Sequence, residues 1–259
     1  MVQRLRERDS SLAIWSSRLA VLSVPVLVIA AVGRRTEQIG VAATYGAIAM
    51  GFAIAFLAVI AAIAALEGVW RDGRSGSRSA LSGLLIGLAV LSLPAVGAWK
   101  ALTYPALADI STDTDDPPVF IKALIARGPD SRPLTSPTEG QAELQREAYP
   151  DIVPRHYALE PGRAFDAALA LIRDRGWPIL DQRPPAGPEG DWNIEAVAST
   201  PIFGFRQDVI VRIEPDGDGS LVDMRCAARN GTHDLGAGAT RIRDFFTDLD
   251  AALEGAGGG

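Results

Sequence analysis

Three long apolar runs fill the first 104 residues and constrain what this chain can fold into. They cover about residues 12–33, 41–66 and 80–99, and Arg18 in the first run is their single charge. A helix rises about 1.5 Å per residue, so about 20 residues cross the hydrocarbon layer of a bilayer. Because lipid offers no partner to free backbone groups, we predict that each run is a transmembrane helix.

Positive charge beside these runs predicts their orientation. Six arginines precede the first run or separate the second from the third: Arg4, Arg6, Arg8, Arg71, Arg74 and Arg78. The other side has Arg34, Arg35 and Lys100. The positive-inside rule therefore predicts a multi-pass protein of the bacterial inner (cytoplasmic) membrane, with a cytoplasmic N-terminus and a periplasmic C-terminal domain. The alternative is that the first run is a cleaved signal peptide, although no small-x-small cleavage site precedes the arginine pair.

The second and third runs contain glycines at intervals of four or five residues. Gly83 and Gly87 form a small-xxx-small pattern that allows close helix contact, although ordinary glycine content of membrane helices is an alternative interpretation. No charge lies in the middle of any run, so the pattern predicts an anchor and gives no support to an ion path.

The composition changes sharply after the third run. Residues 1–104 carry 10 Lys+Arg and 5 Asp+Glu, whereas residues 105–259 carry 15 and 26, a net charge of −11. This acidic part argues against nucleic acid as a partner. The single cysteine, Cys226, excludes an intrachain disulfide, and with only two histidines we expect neither a metal nor a cofactor.

Residues 105–162 are rich in Pro, Asp, Ser and Thr. We predict an extended segment that wraps a domain surface, with short helices near residues 119–127 and 139–148. Its acidic cluster, Asp113, Asp115 and Asp116, suits turn or capping chemistry. Calcium binding is the alternative, but the glycine and distal glutamate of an EF-hand loop are missing.

Residues 163–259 show clear periodicities. Helical spacing covers 163–175 and 236–253, and strands are predicted at 177–180, 192–200, 207–214 and 221–229, with a hairpin turn at 215–219. We therefore predict an α+β fold: a membrane domain (1–104), the extended segment (105–162), and a domain (163–259) with two helices on the apolar face of an antiparallel sheet of about four strands. The other sheet face carries Glu195, Arg212, Asp223 and Arg225, which we interpret as a solvated ladder, with a polar groove as the alternative.

The loop 231–238 joins the last strand to the last helix. Thr232 or Asp234 can cap that helix, and an anion site is a weaker alternative because no Walker lysine or GxGxxG motif is present. We place His156 in a surface loop. Cys226 falls on the inward face of its strand, which predicts a buried thiol and not a nucleophile. The candidate catalytic residues are Asp208, Arg225, Arg229, His233 and Asp234.

Several short motifs together resemble a known family. They are the stretches 109–120, 149–154, 176–177, 204–208, 223–229, 234–236 and 241–243. Over roughly residues 105–253 the chain resembles the bacterial domain-of-unknown-function family 1499, and members with three preceding spans look similar over the whole chain. Cys226 and Ala228 stand where we expect serines, and Gln207 where an acid is common. The resemblance implies an architecture and leaves the function open.

These observations favour a non-enzymatic, membrane-anchored protein whose periplasmic domain binds a lipid, an envelope component or a partner protein. One alternative is an envelope hydrolase or transferase with a polar groove around the candidate catalytic residues. Another is an assembly or stabilising subunit of a membrane complex that uses the glycine-lined helix faces. Membrane lipid and a protein partner are therefore the expected partners.

Overall fold

The computed structural model describes residues 10–72, 75–185, 187 and 190–256. The chain divides into two units, the first ending at Trp99 and the second beginning at Lys100. The three predicted spans are helices α1 (Ser11–Arg35), α2 (Val41–Asp72) and α3 (Ser77–Thr103), whose last turn belongs to the second unit. Each is long and apolar enough to cross a membrane.

Small residues pack the helices of the first unit together. The buried positions of α1 and α2 are mostly Ala, Ser and Gly, whereas large apolar side chains such as Ile29 and Met50 are exposed. Gly83 and Gly87 of α3 lie where a Cβ atom would come within 2.7 Å of Ser16 and 2.6 Å of Val59, respectively. The predicted glycine pattern therefore makes close contacts inside this chain, as small residues do in membrane bundles.

The second unit is built on one antiparallel sheet. Its strands are β1 (Asp109–Ser111), β2 (Arg155–Tyr157), β3 (Ile179–Arg183), β4 (Trp192–Ser199), β5 (Arg206–Asp216) and β6 (Gly219–Ala228). Their order is β1-β6-β5-β4-β3, and β2 also pairs with β6. The helices are α4 (Lys122–Ala126), α5 (Glu139–Ala148), α6 (Pro161–Asp174) and α7 (Ala237–Ala256). This confirms the α+β prediction.

The core lies between the sheet and the two helices α6 and α7. Alternate residues of β4, β5 and β6 point to it, for example Ile194, Val211 and Met224. The helices contribute residues such as Phe165 and Phe245. Because side chains alternate across a strand, the intervening residues lie on the opposite face of the sheet.

Residues 105–162 differ in part from the prediction. The two short helices are present as α4 and α5, but the segment also supplies β1 and β2, so the sheet has six strands among the described residues and not about four. His156 therefore lies in β2 and not in a loop. The side chain of Gln145 in α5 accepts from the N–H of Ser111 and donates to its carbonyl oxygen. This amide completes the backbone hydrogen bonding of β1, a strand too short to show a period in sequence.

Candidate functional site

Six charged residues lie on the sheet face opposite α6 and α7. This charged layer consists of Glu195, Asp208, Arg212, Asp223, Arg225 and Arg229, and all six are buried. Residues 109–138, the covering segment, supply partners for each of them. The prediction of a solvated ladder is therefore wrong: the strands alternate as expected, but a second layer of chain excludes water from their charged face. Such burial requires paired and hydrogen-bonded charges.

Asp208 joins two arginines from different parts of the chain. Its Oδ2 atom lies 2.6 Å from Nε of Arg127, and its Oδ1 atom lies 2.6 Å from Nη2 of Arg229. Arg229 also donates to the carbonyl oxygen of Ala126. Burial lowers the pKa of Arg127, whereas the neighbouring Asp208 carboxylate acts in the opposite direction.

The other two arginines of the layer are held in the same way. Arg225 donates to both carboxylate oxygens of Asp109 and to the carbonyl oxygens of Pro118 and Thr135. Arg212 lies opposite Asp223 in the β5–β6 register and donates to it over 3.1 Å. Arg212 also donates to the Asp116 carboxylate, 2.8 Å away.

Burial raises the pKa of Asp223, against the opposing effects of a hydrogen bond from Thr112 and the charge of Arg212. Asp113 of the acidic cluster accepts from the backbone N–H groups of Asp115 and Asp116. The preferred turn interpretation of that cluster is therefore seen in the structure.

Glu195 positions the start of α4. Its carboxylate accepts from the backbone N–H groups of Ile121 (2.9 Å), Lys122 (3.1 Å) and Ala123 (2.8 Å). The first N–H groups of a helix have no partner within the helix, so a carboxylate at that end satisfies them and favours helix formation. Glu195 thereby fixes a five-residue helix that is too short to be stable by itself.

His233 and Asp234 lie away from the charged layer, in the loop before α7. Nε2 of His233 is 3.4 Å from the carbonyl oxygen of Ala101. The Asp234 carboxylate accepts from the N–H groups of Gly236 and Gly238, so Asp234 has the predicted capping role. Burial raises the pKa of Asp234, and these two N–H groups oppose that shift.

The structure brings together only part of the candidate catalytic set. Among the described contacts, Asp208 and Arg229 form an ion pair, Arg225 is bonded to Asp109, and no hydrogen bond or ion pair links these residues to His233 or Asp234. In the ranges 10–72, 75–185, 187 and 190–256, no group of three His, Cys, Asp or Glu residues is placed to hold a metal ion.

Sequence reasoning missed the partners Arg127 and Asp109. One feature of the sequence did indicate that such partners exist: charged residues alternate with apolar residues on the central strands. If these charges are buried, they require partners from elsewhere in the chain. Nothing in the sequence indicated which residues of the covering segment these partners are, because the two members of each pair are 81 to 116 positions apart along the chain.

The outer surface of the covering segment carries exposed apolar side chains. This apolar strip consists of Val119 (68% exposed), Ile121 (45%), Leu124 (53%) and Ile125 (80%). Beside it lies a small cleft of about 90 Å³, lined by Val119, Phe120, Leu124, Leu134, Thr135, Ser136 and Arg225. Phe120 and Ala123 point the other way and pack on Ile210 and Ala227 of the sheet.

Two wider clefts are open to solvent. One of about 580 Å³ has the paired rings of Phe165 and Trp192 on its wall, with centroids 5.1 Å apart. The other, of about 410 Å³, is bordered by Trp177 and by the ion pair of Arg175 with Asp248. Neither is lined by a residue of the candidate catalytic set.

The described residues form three helices suited to a membrane, followed by an α+β domain, the head. The class they define is a membrane-spanning protein that carries a folded domain after its helices. Residues 109–249 match the family described as "Protein of unknown function (DUF1499)", and the chain belongs to that family. A comparison with curated proteins gives no match.

Among solved structures, CalU16 from Micromonospora echinospora is similar over 37% of this chain and 72% of that chain, with 15% sequence identity and a TM-score of 0.22. This degree of similarity supports no statement about the architecture or activity of the present protein.

Proposed function

We propose that this protein is a membrane-anchored, non-catalytic docking protein whose head binds a protein partner through the apolar strip. The observation that carries this proposal is the strip itself: four large apolar side chains are exposed within seven residues of a segment whose other side is fixed to the sheet. Exposed apolar clusters of this kind typically mark interaction surfaces.

The charged layer supports binding over catalysis. Its arginines and carboxylates bond to one another and to the covering segment, and they are buried. A catalytic group needs access to substrate, whereas these residues hold the chain that carries the strip. We therefore assign Asp208, Arg225 and Arg229 a structural role.

The cleft beside the strip favours a protein over a lipid as the occupant. Its volume of about 90 Å³ is small beside the pockets of about 300–1,000 Å³ that hold whole small molecules, so it suits a single side chain. Interfaces between proteins concentrate their binding energy on such anchor side chains in small pockets. Because Glu195 and Asp208 hold the strip in place before binding, little ordering entropy is lost.

The distribution of positive charge supports a head on the side of the membrane opposite the cytoplasm. In a bacterial inner membrane this is the periplasm. A C-terminal fusion to alkaline phosphatase, which folds only outside the cytoplasm, should be active, and a fusion to a fluorescent protein that matures only in the cytoplasm should be dark. The reverse pair of results would place the head in the cytoplasm.

The docking proposal is tested by photocrosslinking in cells. The full chain carries p-benzoylphenylalanine at Ile125 or, as a control, at Glu147, an exposed position on α5. We expect one discrete protein adduct from position 125 that is absent from position 147. The substitution Leu124→Asp in the same chain should reduce that adduct about tenfold, because a charge replaces an apolar contact at the interface centre.

The contrasting outcomes are distinct. Adducts with lipid alone would show that the strip faces a membrane. Equal adducts from both positions, or an adduct that Leu124→Asp leaves unchanged, would show that the strip is not a specific docking surface. Membrane levels of each variant, measured by immunoblot, separate a loss of binding from a loss of protein.

A further inference from the structure

The small cleft beside the apolar strip has one polar side. Its lining residues are of two kinds, apolar and hydrogen-bonding. The apolar ones are Val119, Phe120, Leu124 and Leu134, and the hydrogen-bonding ones are Thr135, Ser136 and Arg225. A pocket with apolar walls and a few fixed polar groups selects its ligand by shape and by hydrogen bonding together. The polar side therefore carries information about the occupant.

Arg225 is held in this cleft as a rigid donor. Its side chain is 5% exposed, and its Cζ atom lies 5.3 Å from the centre of the Phe120 ring. Four of its five N–H groups donate to the Asp109 carboxylate and to the carbonyl oxygens of Pro118 and Thr135. The fifth N–H, on Nη1, has no acceptor among the residues that the structure describes. Because four bonds already fix the guanidinium, a bond to the fifth N–H requires little further ordering.

The positive charge of Arg225 already has its counter-ion. The two oxygens of Asp109 accept from Nε over 2.9 Å and from Nη2 over 2.8 Å. A second carboxylate in the cleft would lose its water and face a pair whose charges already cancel. An uncharged carbonyl oxygen accepts the same hydrogen bond without that penalty. The cleft therefore favours a neutral acceptor over an acidic side chain.

Thr135 and Ser136 add hydroxyl groups to the same lining, and both residues are exposed. A hydroxyl accepts hydrogen bonds as well as donating them. One fixed donor beside adaptable acceptors complements a carboxamide, which has a carbonyl oxygen and an NH₂ group. The volume of about 90 Å³ admits one short side chain. Asparagine is the shorter of the two residues that end in a carboxamide.

We propose that the partner docked on the apolar strip inserts an asparagine side chain into this cleft. The asparagine oxygen accepts from the fifth N–H of Arg225, and its NH₂ group donates to the hydroxyl of Ser136. Apolar residues next to the asparagine cover Leu124 and Ile125. Arg225 thereby has a role in recognition besides its structural one. This inference rests on the proposed function, because it names the chemistry of the partner that binds the strip.

The test selects peptides on the full chain in lipid nanodiscs. Random peptides displayed on phage are first depleted on the same chain carrying Leu124→Asp and are then enriched on the unsubstituted chain. We expect the enriched peptides to share one asparagine next to apolar residues. In a synthetic peptide, leucine in place of that asparagine should weaken binding about tenfold, because it leaves the Arg225 N–H buried without an acceptor. Fluorescence anisotropy measures this loss.

A hydroxyl on the protein side gives a second measurement. Ser136→Ala should weaken binding of the enriched peptide, because the NH₂ group loses its acceptor. The matched control is Ser199→Ala, which removes an exposed hydroxyl at the end of β4 and should leave binding unchanged.

The remaining outcomes separate this inference from the docking proposal. Enriched peptides that share an aliphatic or acidic anchor, or a Ser136→Ala chain that binds like the control, would overturn the inference and leave docking through the strip intact. If selection yields no peptide that distinguishes the unsubstituted chain from Leu124→Asp, both proposals fail.

Discussion

The carboxylate of Asp208 and the guanidinium of Arg127 form a buried ion pair in which Oδ2 and Nε are 2.6 Å apart. Asp208 belongs to strand β5 and Arg127 follows the short helix α4, so this pair fixes the covering segment to the sheet. The apolar strip lies in the residues just before Arg127. A polar contact inside the head therefore determines how an apolar surface is presented outside it.

Replacing Asp208 should destabilise the head strongly. Asp208→Asn keeps the size of the side chain but removes the charge that both Arg127 and Arg229 share, and it leaves two buried cations without their counter-ion. We expect a loss of about 3 kcal/mol in the free energy of unfolding. Urea titration of the purified full chain in detergent, followed by tryptophan fluorescence, measures this loss.

The matched control is Asp151→Asn, which removes a similar ion pair from the surface. Asp151 and Arg243 are about half exposed, so their pair should contribute less than about 1 kcal/mol. Equal effects of the two substitutions would show that burial of the charged layer does not matter for stability.

Replacing Glu195 should loosen the covering segment locally. Glu195→Gln retains one acceptor oxygen but removes the charge that three backbone N–H groups and Arg183 share. We expect about 2 kcal/mol of destabilisation, the typical contribution of hydrogen bonds to a charged group. Limited trypsinolysis should then cut faster after Lys122, which is exposed and lies in the released helix.

Glu147→Gln makes the same chemical change on the exposed face of α5 and should leave the trypsin pattern unchanged. If trypsin cuts Glu195→Gln after Lys122 no faster than it cuts the unsubstituted chain, the hydrogen bonds from α4 to the Glu195 carboxylate are not what orders this segment.

A glycine of α3 should be intolerant of even one methyl group. The Cβ atom of Gly83→Ala would lie 2.7 Å from the backbone carbon of Ser16 in α1, and backbone cannot rotate away. We expect a loss of about 1–3 kcal/mol through forced separation of the helices. Gly97→Ala in the same helix meets nothing within 4 Å and should be neutral or slightly stabilising. Detergent-denaturation midpoints of the two variants compare them directly.

The single cysteine should be inert in the folded protein. Burial raises the pKa of the Cys226 thiol to about 12. Its thiolate population at pH 8 is then about a thousandfold below that of an ordinary thiol, because each pKa unit is a factor of ten. A maleimide should modify Cys226 only after denaturation, as mass spectrometry can show. Rapid modification of Cys226 in the folded chain would contradict the buried position of this thiol in β6.

Hydropathy and periodicity predicted the long elements of this protein. The apolar runs gave α1, α2 and α3, and the alternation in 192–200, 207–214 and 221–229 gave β4, β5 and β6. The amphipathic spacing also identified the core residues of α6 and α7, such as Ile172 and Phe246. These patterns are local, because each follows from burying one face of a single helix or strand.

The candidate site was predicted less well for a physical reason. Alternation placed Glu195 and Arg225 on one sheet face, but whether that face contacts water or protein depends on residues about 70 to 116 positions away. The short strands β1 and β2 have no readable period and exist because β6 satisfies their backbone groups. The helix α4 was predicted, but its dependence on Glu195 was not.

Hydropathy and its period along the chain were enough to predict three long apolar helices, the antiparallel strands β4, β5 and β6, and which face of the sheet is apolar. The tertiary structure alone decided that the charged face is closed by residues 109–138, and which arginine pairs with which carboxylate. Ion pairs depend on distances between atoms that the fold brings together, and nothing in the order of residues states those distances.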